Sequence, residues 1–194
     1  MATADLRKRE EFAKWALPHM DHVYSAALYL TRNKQEAEDL LQETFLRAYR
    51  FWHQFEIGTN CKAWLMTILH NNFKNRYRDR YREQRTVEFD ETVYDHDSAA
   101  PAEQAHANPE ALLFAQLLDG EVEAALKELP VEFLEVIVLV DIQELTYEEA
   151  AAAFGCPIGT IRSRLSRGRR LLQTALRHYA KERGYGRPDQ YALR

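Results

Sequence analysis

The sequence predicts an all-α protein in which two small helical domains are joined by a flexible acidic linker. Apolar residues recur at helical spacing through most of the 194 residues, and few runs alternate as strands do. Glycine and proline, which interrupt helices, number only seven and six. The stretch from Thr86 to Asn108 has no apolar stripe and is rich in acids and alanine, which indicates a linker between two folded parts.

The N-terminal part begins with a broken helical pattern. Between Glu11 and Leu30 the apolar residues have helical spacing, and Pro18 permits a bend or a restart. These residues are expected to pack rather than to act. His19 and His22 have the i, i+3 spacing of a metal-binding pair, but no third ligand is apparent nearby. Solvent-facing histidines are therefore expected, and no metal site is predicted.

A further helix is predicted from Gln35 to Phe51. Its core face holds Ala37, Leu40, Leu41, Thr44, Phe45 and Ala48. Its other side carries Asp39, Gln42, Glu43 and Arg47. Asp39 and Glu43 are like charges at i, i+4, a spacing that slightly destabilises an isolated helix. A basic partner would offset that cost. The alternative is an ordinary solvated acidic face, and periodicity alone leaves both open.

A polar loop then leads into a long helix. Gly58, Thr59 and Asn60 interrupt the apolar pattern, and Thr59 or Asn60 could cap a helix that runs to about Arg82. The buried face is predicted to hold Trp64, Leu65, Ile68, Leu69, Phe73 and, near its end, Tyr77. The opposite face is predicted to show Asn71, Lys74, Asn75, Arg78 and Arg82.

This polar stripe and the aromatic residues near it have the chemistry that unpaired bases need. Aromatic rings stack on bases and cationic side chains bind phosphates, while asparagine can read base edges. Core packing is the alternative for Trp52, Phe55 and Trp64. It is expected for Trp64 and left open for Phe55, which lies in the loop.

The C-terminal part starts with two predicted support helices. The first is predicted to begin at Pro109 and stop before Pro130, on Leu113, Leu117, Leu118, Val122, Ala125, Leu126 and Leu129. The segment from Val131 to Ile142 is strongly apolar and partly β-branched, so a strand is conceivable. Because it lies in a series of helices, a buried support helix is favoured.

The next segment predicts a helix-turn-helix that reads DNA. Thr146 and Glu149 form a capping-box pattern, and Gly155 and Pro157 end the first short helix. The second helix has one apolar stripe, formed by Ile161, Leu165, Gly168 and Leu172. Away from that stripe lie serines and five arginines, with no acid from position 158 to 170. Arginine forks bind guanine edges and phosphates, so a major-groove helix is favoured over a solvated basic helix.

Charge and composition exclude several classes of protein. The formal net charge of −4 is unfavourable for binding DNA, but the charge is sorted into blocks, with seven acids and no Lys or Arg from Thr86 to Glu110. The two cysteines are far apart, which fits a reduced cytoplasm. No signal peptide or membrane-spanning stretch is apparent, so a soluble cytoplasmic protein is expected. No nucleophile–base set appears, so neither an enzyme nor a cofactor is predicted.

Three motifs give the chain a resemblance to a known family. In order, they read EAEDLLQETFLRAYR, GTNCKAWLMTILHNNFKNRYR and YEEAAAAFGCPIGTIRSRLSRGRRLL. The chain resembles the extracytoplasmic-function group of bacterial sigma factors, the minimal members of the sigma-70 family. The resemblance implies a region 2-like domain at residues 10–84, a flexible acidic linker at 85–110, a region 4-like helix-turn-helix domain at 111–182 and a tail at 183–194.

The resemblance also implies site residues and partners. The residues implied to dock on the β′ coiled coil of core RNA polymerase are Asp39, Gln42 and Glu43. Those implied to recognise and melt the −10 promoter element are Phe55, Asn60, Asn71, Lys74, Asn75 and Arg78. Those implied to recognise the −35 element are Thr160, Arg162, Ser163, Ser166, Arg167 and Arg170. The polymerase β subunit, promoter DNA and an anti-sigma factor are the further partners implied, and the linker would thread toward the active-site and RNA-exit channels.

The sequence departs from the family pattern in two places. Leu134 and Val140 stand where many members have arginine for −35 backbone contacts, which leaves those contacts without their usual side chains. Cys61 replaces a commoner apolar residue and is interpreted as a small hydrophobe, with a redox role left open. The expected function is that of an alternative sigma factor. The alternative is a stand-alone helix-turn-helix repressor or activator that binds palindromic DNA.

Overall fold

The computed structural model describes residues 2–87 and 120–184. The N-terminal range forms four helices, α1 (Ala2–Trp15), α2 (Met20–Thr31), α3 (Lys34–Arg50) and α4 (Cys61–Val87). The C-terminal range forms α5 (Gly120–Lys127), α6 (Val131–Ile137), α7 (Tyr147–Phe154), α8 (Ile158–Ala175) and α9 (Arg177–Glu182). These two ranges contain no strand, and the predicted all-α class is confirmed. The predicted linker from residue 88 onward, Leu113, Leu117, Leu118 and the end of the tail lie outside the described residues.

Local sequence signals start and stop the N-terminal helices. Pro18 lies in a short 3-10 turn, Leu17–His19, between α1 and α2, which confirms the predicted restart. Arg32 ends α2 in the left-handed conformation, with φ of 57°. Asn33 then begins α3, because its side-chain oxygen accepts a hydrogen bond from the backbone N–H of Glu36 at 3.1 Å.

A buried polar network joins α3 to α4. The hydroxyl of Thr44 donates to the carbonyl of Leu40 at 2.7 Å and accepts a hydrogen bond from Nδ2 of Asn72 at 3.3 Å. Oδ1 of Asn72 in turn accepts a hydrogen bond from the guanidinium of Arg47. Asn72 is only 1% exposed, so each of these partners offsets the cost of burying its amide. The network fixes the rotation of α4 against α3.

The apolar segment after α5 is helical, as predicted. α6 runs on into a π-helical turn, Val138–Ile142, and Leu134 and Val140 are both buried there. Their side chains are therefore core residues. α6 crosses α8 at Gly168, where an added Cβ would lie 2.8 Å from Cδ1 of Ile137. A Cβ here would displace the end of the Ile137 side chain and press on Cβ of Phe133 at 3.2 Å, so glycine permits the close approach of the two helices.

The helix-turn-helix has the predicted caps. The hydroxyl of Thr146 accepts from the N–H of Glu149 at 3.2 Å, and the Glu149 carboxylate accepts from the N–H of Thr146 at 2.9 Å. Gly155 ends α7 with φ of 60°, and Pro157 precedes the first residue of α8. Ile161 and Leu165 of α8 are buried, which confirms the predicted apolar stripe.

The two parts of the chain pack on each other through a continuous apolar core. α4 lies against α7, and α2 lies against α6 and the π-helical turn at its end. Met66, which is fully buried on α4, belongs to the same cluster as Ala150 and Ala153 of α7. No helix within the described ranges is long and apolar enough to cross a membrane.

Candidate nucleic-acid interface

The outer face of α8 is basic and accessible. Arg162, Ser163, Ser166, Arg167 and Arg170 are all exposed, and Thr160 is half-buried at the beginning of the helix. The Ser163 hydroxyl donates to the carbonyl of Thr160 at 3.0 Å, which leaves its lone pairs facing outward. The helical period therefore brings the six predicted −35 residues to one side of the molecule, opposite the stripe that packs on α6.

Two arginines of α8 have partners within the domain. Arg169 makes a bidentate pair with Asp141 at 2.6 and 3.1 Å, and these hydrogen bonds raise the pKa of Arg169. This pair ties α8 to the turn after α6. The guanidinium carbon of Arg162 lies 5.9 Å from the centre of the Tyr147 ring. Tyr147, Arg162, Ser166, Arg169 and Arg170 line an open depression of about 480 Å³ beside the helix.

The predicted −10 stripe on α4 is accessible in its second half. Asn71, Lys74 and Arg78 are exposed, and Asn75 is half-buried and accepts a hydrogen bond from Arg78 at 3.4 Å. Tyr77 is 54% exposed, so the prediction that it ends the buried face is wrong. Its ring continues the polar stripe and stands 6.2 Å from that of Phe73. An exposed aromatic ring next to basic and amide groups is a stacking surface that the sequence pattern missed.

The ring of Phe55 is not on the surface of the loop. It is only 8% exposed and packs with Trp52 and Trp64, at ring-centre distances of 4.9 and 5.3 Å. Of the two possibilities that the sequence left open, core packing is the one observed. The expectation that Phe55 is accessible to stack on a base is therefore wrong for this conformation, because aromatic neighbours already cover its ring.

Asn60 begins α4 and also contacts the other domain. Its Oδ1 accepts from the N–H of Ala63 at 3.2 Å, which confirms the predicted cap. Its Nδ2 donates to Oε1 of Glu149 at 2.7 Å. Burial acts to raise the pKa of Glu149, but hydrogen bonds from Thr146 and Asn60, together with the charge of Lys62, leave it lowered. Glu149 is thus held as a carboxylate at the start of α4.

The predicted polymerase-binding residues share one side of α3. Asp39 and Gln42 are exposed, and Glu43 is half-buried because Arg76 holds its carboxylate at 2.8 Å. Leu46 is 64% exposed at i+7 from Asp39 and i+3 from Glu43, so it lies on the same side. An accessible leucine beside acids suits a protein partner with basic and apolar side chains. No role for Leu46 was predicted from the sequence.

Within the described residues, the cysteines and histidines are not grouped as a metal site. Among the described residues, no three His, Cys, Asp or Glu side chains are grouped so as to hold an ion. Burial, followed by the neighbouring charges of His22 and Lys62, lowers the pKa of His19. Cys61 is only 3% exposed, and burial raises the pKa of its thiol to about 11. It therefore behaves as a small hydrophobe.

Comparison with known proteins agrees with this geometry. A family model for sigma-70 region 2 matches residues 15–83, and one for sigma-70 region 4 matches residues 119–172. The ECF RNA polymerase sigma factor SigE of Mycolicibacterium smegmatis is 37% identical over 93% of this chain and 67% of its own length. The chain belongs to the ECF RNA polymerase sigma factors. It is an alternative sigma factor, and sigma factors are DNA-binding transcription initiation factors that are not in general enzymes.

Other members of the ECF family match in sequence and structure. EcfG of Rhodopseudomonas palustris is 39% identical over 77% of this chain and 76% of its own length. The sigma factor RpoE of Bartonella quintana, solved in complex with the anti-sigma factor NepR, superposes with a TM-score of 0.66. It is 34% identical and covers 87% of this chain and 98% of its own. CnrH, solved with the cytosolic domain of CnrY, shares the fold at a TM-score of 0.59 and 22% identity.

Proposed function

We propose that this sigma factor docks on core RNA polymerase through α3, reads and opens the −10 element through α4, and reads the −35 element through α8. The observation that carries the proposal is the arrangement of three accessible surfaces on one chain. They are the acidic and apolar side of α3, the polar stripe of α4 beyond residue 70, and the basic outer face of α8. The stand-alone repressor has no such observation in its favour.

The docking surface comprises Asp39, Gln42, Glu43 and Leu46. Its occupant is the basic coiled coil of the polymerase β′ subunit, with the β subunit as a further contact. Asp39 is the exposed charge of this surface, and basic partner residues would neutralise it, whereas Arg76 already offsets its i, i+4 repulsion with Glu43. Glu43 has the smaller share of this role, because Arg76 already neutralises its charge.

The two DNA surfaces divide the steps of promoter opening. Asn71, Lys74, Asn75 and Arg78 bind the unstacked strand of the −10 element, with Tyr77 available to stack on a base and Asn60 to donate a hydrogen bond. Arg167 and Arg170 bind base edges or phosphates of the −35 element, and Ser163 and Ser166 permit a close approach. Unstacking a base costs a few kcal/mol, which captured bases and phosphate contacts offset.

An anti-sigma factor is proposed as the partner that restrains this protein. The support comes from RpoE of Bartonella quintana, which is similar over nearly its whole length and was solved with the anti-sigma factor NepR.

The docking proposal is tested with charge reversals on α3. Asp39→Arg should lower the affinity for core polymerase by at least about tenfold, because it places like charges in contact. The matched control is Glu38→Arg, which reverses an adjacent exposed charge whose ion pair with Lys34, at 3.9 Å, lies within the same helix. At position 43 the test uses Glu43→Gln rather than Glu43→Arg, since an arginine there would be repelled by Arg76. Wild-type association of Asp39→Arg in a pull-down with core polymerase would refute the docking assignment.

A further inference from the structure

The start of α4 is an acceptor-binding position that is already filled. The first turn of α4 has no acidic residue, Lys62 lies within it, and the Nδ2 group of Asn60 points out of it as a donor. That donor binds Oε1 of Glu149 at 2.7 Å, across the contact between the two domains. A base-edge or phosphate oxygen is the acceptor that Asn60 would bind on DNA, so the carboxylate takes the same place.

The two oxygens of Glu149 have separate partners. Oε2 accepts from the N–H of Thr146 and closes the capping box of α7, while Oε1 accepts from Asn60. The first bond lies within the helix-turn-helix and the second lies between domains. The contact across the domains is therefore additional to what the helix cap requires.

We infer that the described structure is an autoinhibited form, in which the Glu149 carboxylate of the −35 domain occupies the Asn60 donor of the −10 domain and must leave before DNA enters. The inference rests on the proposed −10 role of Asn60. Because α7 covers the first half of α4, no residue from Cys61 to His70 is exposed. Among the α4 side chains that the structure describes, exposure begins at Asn71, so the segment from Asn71 to Arg78 is the part open to a nucleic acid in this form.

Two further residues, His70 and Arg32, make contacts between the domains. Nδ1 of His70 lies 3.5 Å from Oε1 of Glu135, and the His70 ring is 4.2 Å from that of Phe154. On the other side, the Arg32 guanidinium donates to the carbonyls of Leu129 at 3.1 Å and Leu126 at 3.4 Å. A cation is favoured here because Leu126 lies in the last turn of α5 and Leu129 follows just after it. Release of Glu149 from Asn60 is thus part of a larger separation of the domains.

The test is the binding of full-length protein to a labelled, random-sequence single-stranded oligonucleotide, measured by fluorescence anisotropy at low salt. Glu149→Gln keeps the helix cap, since glutamine also closes a capping box, but it removes the charge that Asn60 binds. We expect its affinity to be about threefold to fivefold higher than wild type, which corresponds to the net contribution of one hydrogen bond. Glu148→Gln, which removes the neighbouring exposed charge, is the control and should bind like wild type.

Two further variants make the result decisive. In an Asn60→Ala background, Glu149→Gln should give no gain, because the donor that it frees is absent. Arg32→Ala, which loosens the other side of the contact and leaves the cap intact, should also raise the affinity, and it replaces Glu149→Gln if that variant fails to fold. Hydrogen exchange of the peptides covering residues 61–70 and 147–154 should be faster in the variants that bind more tightly.

The outcomes separate this inference from the proposed function. If Asn60→Ala with Glu149→Gln binds as tightly as Glu149→Gln alone, the −10 role of Asn60 fails, because the inhibitory contact is absent from both proteins. If Asn60→Ala weakens binding while Glu149→Gln binds no better than Glu148→Gln, the autoinhibition fails and the −10 role stands. Equal gains from Glu149→Gln and Glu148→Gln would show a general charge effect and would also overturn the autoinhibition.

Discussion

The two helices proposed to read DNA, α4 and α8, are built in different ways. α8 packs on the rest of its domain through one stripe and presents the opposite face to solvent from Arg162 to Arg170. α4 packs against α2 and α3 on one side and against α7 on another, so its first half is covered. Under the proposed roles, the −35 surface is open to DNA in this form, whereas the −10 surface would become complete only when the domains separate.

The polar residues on the two helices also have different partners. On α8, Arg169 is held by Asp141 while its neighbours Arg167 and Arg170 face outward. On α4, Asn72 is buried in the network with Thr44, and Asn60 is occupied by Glu149. A side chain of the type that reads bases therefore does so only where packing leaves it accessible. Substitutions on the two helices can test this contrast.

The largest effect is expected at the close approach of α8 to α6. Gly168→Val should lower the free energy of unfolding by about 3 kcal/mol, because its side chain would overlap Ile137 and Phe133. Gly159→Val is the matched control, since an added Cβ there meets nothing within 4 Å, and because valine has a slightly better helix propensity than glycine it should change stability by less than about 0.5 kcal/mol. Urea unfolding monitored by circular dichroism measures both. Equal losses would show that α8 is not fixed by this contact.

A smaller effect separates base reading from strand binding. Arg167→Ala should weaken binding at one −35 base pair by about 2 kcal/mol and reduce the preference for a particular base at that position. Lys74→Ala should instead weaken promoter binding nearly uniformly across sequences and reduce its salt dependence, as loss of a phosphate contact does. Transcription from a promoter library with each variant in the holoenzyme measures both. An unchanged −35 preference would remove Arg167 from the reading set.

A third prediction concerns the paired arginine. Asp141→Ala should lower stability by less than about 1 kcal/mol, because Arg169 is 53% exposed and its ion pair is screened by water. It should leave the −35 sequence preference unchanged, since the pair positions α8 and does not lie on its outer face. A change in preference as large as that of Arg167→Ala would assign Arg169 to the DNA contact instead.

The smallest perturbation compares the beginnings of the two helices through their cysteines. Cys61 starts α4 and is buried with a raised pKa, whereas Cys156 lies half-buried in the turn before α8. A disulfide reagent at neutral pH should therefore modify Cys156 at least about tenfold faster than Cys61, because the thiolate is the reactive form. Mass spectrometry of Cys61→Ala and Cys156→Ala variants measures each rate. Equal rates would mean that the start of α4 is open.

Periodicity predicted the one-sided elements well. The restart at Pro18, the core face of α3, the capping box at Thr146 and the stripe of α8 each depend on residues close together in sequence. The favoured helix for residues 131–142 was also confirmed, although the π-helical turn was not foreseen. These features need only local hydrogen bonding and one buried face, so the sequence carries them.

The features that the sequence did not reveal depend on distant partners. Phe55 is buried because Trp52 and Trp64 converge on it. His70 and Met66 are buried because a second domain packs on a face of α4 that periodicity had left unassigned. Asn60 was predicted as a cap, which is a local role, but its bond to Glu149 joins residues 89 positions apart. Packing of one domain on another leaves no periodic mark in either sequence.

In vitro transcription with core RNA polymerase and a random promoter library tests the central claim most directly. We expect polymerase-dependent initiation at promoters that share two separate elements. We also expect that Arg167→Ala changes the preference in the upstream element alone, and that Asn71→Ala with Asn75→Ala impairs opening at the downstream element. Tight binding to a palindromic site without polymerase, with no initiation when core polymerase is added, would contradict the claim.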